Sequence, residues 1–354
     1  MSSLTSRCLN LPSKGLRRST GRFVNKVSRL NWLPINDYWF HHYSAGAIVL
    51  NALTVVAGSV LVLILANGAT TAHAVEQRLQ TGSAEITLAW DKSHWPTSAP
   101  AILSWIQSSL DAVTAYFGEF PVNNLHLALS PSSGRSINGT AYPGTPPVII
   151  MRLGILVRPA DLQQDWVLVH ELTHLSLPPL ERRHHWLEEG VATYMEPMIR
   201  YHSGLLSEDE LWRWLLLGTP KGLPKSDDQG LDFTPSWGRT YWGGALFCLL
   251  ADLQIREQTA GRYGFGHALR AIGNAGGTME NEKRWPISEV FAIGDRATGT
   301  QVLQELYAQH RAQAITPALA ELWQRLGVAL VDGAIVYDDK APRSKLRKAL
   351  TSAP

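Results

Sequence analysis

The spacing of apolar residues divides the chain near residue 160. Upstream, residues 85–90 and 125–129 alternate apolar with polar side chains, the period of a strand with one buried face, and 148–151 is a short apolar strand. Residues 98–117 instead place Ile102, Trp105, Ile106, Leu110, Val113 and Phe117 at helical spacing, and Gly118 ends the run. Residues 131–144 are rich in Ser, Gly and Pro and read as a loop. Downstream the period is helical almost throughout. Asp161 and Gln164 have the N-cap and N3 spacing of a capping box, so one helix is expected from 161 through Trp166 and His170 to 177, where Pro178-Pro179 stops it. A second helix is expected over 186–201, bent or shortened by Pro197, and a third over 205–217. A polar loop over 221–237 leads to a strong helical pattern at 241–259, closed by Gly261. The remainder reads as mostly helical, with glycine-rich breaks at 273–277 and a basic tail over 341–354. The expected class is therefore α+β: a sheet-and-helix lobe over 75–160, then a helical lobe over 161–340. A cleft between such lobes is a natural place for a site.

His170-Glu171-Leu172-Thr173-His174 is an H-E-x-x-H sequence inside the expected helix. Residues four apart stack on one helix face, so both imidazoles can reach a single zinc ion at about 2.0–2.1 Å. Glu171 projects from the neighbouring flank, where its carboxylate can take a proton from water on the metal without ligating the metal itself. Trp166, Val167, Val169 and Leu172 give the helix apolar packing positions. A catalytic zinc needs a third protein ligand and an open position. Glu188 and Glu189 follow in the run Trp186-Leu-Glu-Glu-Gly-Val-Ala-Thr-Tyr194. They point about 100° apart on a helix, so only one can face the metal. His184 and His185 are also possible ligands, although a solvated loop pair is the plainer reading.

H-E-x-x-H followed by W-L-x-E-G-x-A, here residues 186–192, resembles the gluzincin metallopeptidases. These include the aminopeptidase N type, the glycyl aminopeptidase type and a set of short bacterial relatives. Their third ligand is the Glu directly before Gly, which is Glu189 here. The block from Tyr241-Trp-Gly-Gly-Ala-Leu to Asp252-Leu-Gln-Ile-Arg256 looks like the glycyl aminopeptidase pattern Y-x-x-G-A-L ending in L-D-L-x-I-R. In that family the leading Tyr donates a hydrogen bond to the tetrahedral oxyanion, so the resemblance gives this role to Tyr241. The resemblance covers about 160–265, and the spacing from His174 to Glu189 suits the short relatives. It implies a thermolysin-like two-lobed fold and one zinc ion held by His170, His174 and Glu189. It also implies Glu171 as general base and a peptide or protein substrate. In that fold the edge strand of the sheet, expected over 140–150, lines the cleft. Aminopeptidases of the clan carry an acid there to hold the substrate's α-ammonium. This sequence has no Asp or Glu from Phe120 to Ala160, and Arg135, Arg152 and Arg158 fall in the same stretch, so aminopeptidase specificity does not carry over. A rival reading keeps the fold without the chemistry, as an exported binding or scaffold protein. The intact Glu171 and Tyr241 speak against it.

Composition changes this picture mainly at the N-terminus. The chain is 45% hydrophobic with 13 Trp and 10 Tyr, enough for a substantial core. Its formal charge of +2 is unevenly placed. Residues 1–74 hold Arg7, Lys14, Arg17, Arg18, Arg22, Lys26 and Arg29 against Asp37 alone, so the body has no basic surplus and nucleic acid is not an expected partner. Cys8 and Cys248 suggest neither a disulfide nor a thiolate metal site. After the basic leader, 1–44, residues 45–66 are uncharged and mostly apolar, and roughly 20 such residues span a bilayer. Ala72-His73-Ala74 has the A-x-A form of a cleavage site. A cleaved signal peptide over 45–74 and an uncleaved inner-membrane anchor both export the body, to the periplasm or beyond, and membrane contact is expected only through 45–66 if that segment is kept. Cleavage after Ala74 is the expected outcome: N-terminal sequencing of the exported protein should begin at Val75, whereas an intact leader in the membrane fraction would identify an anchor.

Overall fold

The computed structural model describes residues 75–352. The leader, the 45–66 segment and Cys8 lie outside them; among the described residues no helix is long and apolar enough to cross a membrane. Strands β1 (Val75–Thr81) and β2 (Ala84–Trp90) pair antiparallel around Gly82, whose φ of 55° favours glycine. β2 buries Ala84, Ile86, Leu88 and Trp90 on one face, the alternation expected from the sequence. Helix α1 (Ala99–Phe117) then leads to β3 (Asn124–Ser132), parallel to β2. All six apolar positions expected on the α1 face are buried, and Gly118 closes the helix at a φ of 85°. β4 (Ile137–Tyr142) and β5 (Val148–Gly154) complete a mixed sheet of order β1-β2-β3-β5-β4, with β5 parallel to β3 and β4 antiparallel to β5.

Two expectations are corrected here. Residues 131–144 are not a loop, because β3 continues to Ser132 and β4 occupies 137–142. β4 alternates half-buried Ile137, Gly139 and Ala141 with exposed Asn138, Thr140 and Tyr142, but small residues on the inner face make the apolar signal weak, and its extended form comes from pairing with β5. The edge strand is accordingly β4 rather than 140–150, and the apolar half of that range belongs to β5, inside the sheet.

The single helix expected from 161 to 177 is two, α2 (Pro159–Gln163) and α3 (Val167–His174). Asp161 is at N3 of α2, where its carboxylate accepts from the Arg158 backbone N–H at 2.9 Å and from its guanidinium at 2.7 and 3.0 Å. The chain restarts at Asp165, whose carboxylate accepts the Val167 and Leu168 N–H groups at 3.1 Å each, a cap for the first turn of α3. Past His174, Leu175, Ser176 and Leu177 tighten to i−3 hydrogen bonds before Pro178-Pro179.

α4 (His185–His202) packs on α3, and Pro197 lies within it without ending it. α5 (Glu208–Gly218) starts at a Ser207–Glu210 capping box. A long irregular segment follows, and residues Gly238–Gly243 form a π-helical turn that runs into α6 (Gly244–Gln258), where a regular helix start was expected. Single π turns inside helices occur frequently at functional sites. α6 crosses α4 at two glycines: a Cβ on Gly190 would lie 2.3 Å from the Gly244 backbone. Asp252 of α6 accepts from Tyr194 Oη of α4 at 2.8 Å, from Arg256 Nε at 2.8 Å, and from the N–H of Phe265 at 2.9 Å, at the start of α7 (Phe265–Asn274). The second motif block thus supplies a buried junction of three helices.

α8 (Ile287–Thr298), α9 (Val302–His310) and α10 (Leu319–Leu326) continue the helical part. A hairpin, β6 (Val328–Val331) and β7 (Ala334–Tyr337), then interrupts a region expected to be helical, with Asp332 and Gly333 at φ 49° and 81° making its turn. The basic tail includes α11 (Ser344–Leu350), where Arg347 is buried, donates to the Leu326 carbonyl at 3.1 Å and pairs with Asp339. Gly190→Ala should lower stability by about 1–3 kcal/mol through the blocked α4–α6 crossing, read as a lower urea midpoint; an unchanged midpoint would mean that the helices do not meet at these glycines.

Candidate metal centre

α3 and α4 bring together the three residues that the sequence nominated as ligands. Ligand atoms of His170, His174 and Glu189 lie within 4.8 Å of one another. His170 Nε2 is 3.3 Å and His174 Nε2 is 3.7 Å from the same oxygen, Glu189 Oε2. His170 and His174 are one turn apart, with ring centroids 5.0 Å apart at an edge-on angle of 86°. Burial raises the energy of every charge here, and the group settles it internally. For Glu189, burial favours the protonated form, but His174, His170 and His185 outweigh it and hold the carboxyl down at about 2. Burial likewise disfavours a charged His170, and the Glu189 hydrogen bond with the nearby carboxylates overcomes this and raises its pKa. His174 is left neutral, its pKa pushed down to about 4 mainly by burial.

Glu171 sits beside this group and outside it. It is 8% exposed, and burial is the main reason that its carboxyl is pushed up to about 7. The edge strand holds it: the Ala141 backbone N–H is a hydrogen-bond partner, and a Cβ on Gly139 would lie 2.4 Å from Glu171 Cγ. Only glycine at 139 leaves the carboxylate this room, a requirement that sequence reading missed within an assumed loop. Tyr241 lies in the π-helical turn, its ring stacked 6.3 Å from that of His170, and Trp237 stacks on Tyr241 at 6.0 Å.

The rivals of Glu189 have other partners. Glu188 Oε1 accepts the Leu180 N–H at 2.9 Å, and Glu188 Oε2 lies 2.9 Å from His185 Nδ1. His185 is half exposed, and its Nε2 is 3.3 Å from Glu189 Oε1, so it borders the group without joining it. His184 is not solvated, as expected, but buried, with Nδ1 3.0 Å from Asp232 Oδ1. Asp232 also accepts from Trp186 Nε1 and Tyr307 Oη at 2.8 Å each, which anchors the start of α4. Glu196, buried deeper along α4, pairs with Arg200 at 2.9 Å, yet burial still pushes its carboxyl up to about 7. Arg135 and Arg152 are exposed, and Arg158 is engaged with Asp161.

No protein-family model and no curated protein matches the chain. Solved structures do. An aminopeptidase N family protein from Idiomarina loihiensis superposes with a TM-score of 0.54 at 15% identity, over 76% of this chain and 53% of that one. An M1 zinc metallopeptidase from Deinococcus radiodurans gives a TM-score of 0.45 at 16% identity, over 68% of this chain and 51% of that one. The chain spans about half the length of these structures. The first match carries the argument: the described residues have the fold of the aminopeptidase N family. That fold is in keeping with the resemblance of the motifs.

Two imidazoles and one carboxylate are a common zinc donor set, and here they supply a neutral His, an ionised Glu and a second His whose proton a metal can displace. The residues therefore fit a single zinc ion. In chelator-treated protein, the pKa of Glu171 gives a further expectation. A carboxyl raised from 4.5 to about 7 on folding is protonated in both states at low pH, and its ionisation favours the unfolded chain as pH climbs through that interval. Glu171→Gln should therefore match the wild type in urea unfolding at pH 4 and exceed it by roughly 1–3 kcal/mol at pH 8; equal stability at pH 8 would contradict the burial of an ionisable group here.

Proposed function

We propose that this chain is a zinc-dependent peptidase that holds its metal with His170, His174 and Glu189 and uses Glu171 as general base. The observation that carries the reading is the convergence of three donor atoms within 4.8 Å beside the buried carboxyl of Glu171, which burial pushes up to about 7. A zinc ion bound there supplies Lewis acidity toward a peptide carbonyl and makes water a far stronger acid, with a pKa of roughly 7. Glu171, with a proton affinity matched to neutral pH, takes the proton of the attacking water and returns it to the leaving amine. Ala141 N–H and Gly139 keep its carboxylate oriented. Tyr241 supports the developing oxyanion through its phenol, a role favoured by its stacking beside His170.

The substrate follows from charge. Glu188 is tied to Leu180 and His185, Asp165 caps α3, Glu196 pairs with Arg200, and β4 carries no acid. A substrate α-ammonium entering this buried site would meet no uncommitted carboxylate among these neighbours, and an unpaired charge there is costly. We therefore assign internal peptide bonds, in polypeptides delivered outside the cytoplasm if 45–74 acts as an export segment.

Profiling a mixed peptide library tests this reading. Zinc-loaded protein should cut internal bonds, chelator should abolish cutting, and Glu171→Gln should retain zinc while losing at least ~100-fold in rate. Chelator-insensitive cutting would remove the metal from the mechanism, and undiminished cutting by Glu171→Gln would remove the base.

A further inference from the structure

Glu189, Thr193, Glu196 and Arg200 recur along α4 at helical spacing and form one stripe. All four are buried, Glu196 to 1% exposure. The stripe starts at the proposed ligand carboxylate, Glu189, which faces His170 at 3.3 Å. His170 turns Nε2 toward Glu189, so Nδ1 points away from the metal group. That Nδ1 is buried and makes no hydrogen bond, and neither does the buried Thr193 Oγ1, one turn beyond Glu189. A buried polar atom without a partner costs about 1–3 kcal/mol, so a pair of them bordering one stripe calls for an explanation.

The chemistry of a ligating imidazole provides it. A histidine that gives Nε2 to a metal keeps its proton on Nδ1, and that N–H requires an acceptor. Thr193 can accept through Oγ1 and pass its own O–H on to an acceptor three residues along the same face, Glu196. Glu196 is oriented for this by Arg200 Nη1, which donates to its Oε1 at 2.9 Å. Its negative charge already acts on His170. Pro197 has no N–H to return to the Thr193 carbonyl, which relaxes the helical restraint at this turn.

We propose that Thr193 and Glu196 are positioning residues for the metal centre, forming a chain from His170 Nδ1–H to the Thr193 hydroxyl to the Glu196 carboxylate that fixes the tautomer and angle of the first ligand. This rests on the reading of His170, His174 and Glu189 as a zinc site. The test uses the full chain and needs no activity. Zinc affinity is measured by competition with a chromophoric chelator for the wild type, Thr193→Val, Thr193→Ser and Glu196→Gln, with circular dichroism as the folding control. Long-range proton–nitrogen spectra of the zinc-loaded protein report the His170 tautomer. Thr193→Val and Glu196→Gln should each weaken zinc by about 10–100-fold, the range for partners of metal-bound histidines, and Thr193→Ser should restore most of it. The double variant should be no weaker than the weaker single one, because both break one chain. A wild type that binds no zinc would overturn the metal reading itself. Tight wild-type binding with unchanged affinity in a folded Thr193→Val would overturn only the positioning role, whereas a zinc-loaded His170 protonated on Nε2 would remove that nitrogen as a ligand and overturn both readings.

Discussion

Glu189 Oε2 faces two imidazole nitrogens, at 3.3 and 3.7 Å, in surroundings that exclude most water. A buried carboxylate persists only against such partners, so the α3–α4 contact has to hold that geometry. Much of the structure can be read as support for it. Asp165 restarts the helix so that His170 and His174 fall on the α4 side, and the Pro178-Pro179 turn ends α3 directly afterwards. Asp232 anchors the start of α4 through His184, Trp186 and Tyr307. Gly190 and Gly244 let α6 approach α4, and Asp252 fastens α4, α6 and α7 together. The sheet contributes at its edge, where β4 lies against Glu171.

The same burial separates the carboxyls by function. Glu189, opposite histidines, stays ionised, while Glu171 and Glu196 are pushed toward neutrality near pH 7. A group poised at that value exchanges protons readily under ordinary conditions, which suits Glu171 beside the donor set. Glu196 has an oppositely charged neighbour in Arg200 and no access to solvent, which suits a positioning task better than proton exchange with substrate.

The centre was legible in the sequence where one helix encodes it. His170, Glu171 and His174 follow from helical spacing and zinc chemistry. Glu189 over Glu188 does not, because both lie on the same helix and the difference is tertiary: Glu188 is drawn to the N–H of Leu180, which precedes α4. Family resemblance selects Glu189, the one whose carboxylate faces His170 and His174. α1 and β2 were legible because each buries one clean face. β4 was not, since the inner face of this edge strand carries Gly139 and Ala141 and is only half-buried, which leaves a weak apolar signal, and with it the role of Gly139 was not legible. Asp161 has capping-box spacing with Gln164, yet Asp165 caps α3, and only the backbone turn between α2 and α3 distinguishes the two. The π-helical turn at Tyr241 and the depth of His184 are likewise consequences of packing, not of local pattern.

The central claim is that one zinc ion occupies the point where α3 and α4 converge. Anomalous diffraction at the zinc edge from crystals of the zinc-loaded protein tests it most directly. A single peak at about 2.0–2.2 Å from His170 Nε2, His174 Nε2 and a Glu189 carboxylate oxygen is the expected result. A peak held by His184, His185 or Glu188 instead, or none at this position in crystals that contain zinc, would contradict it.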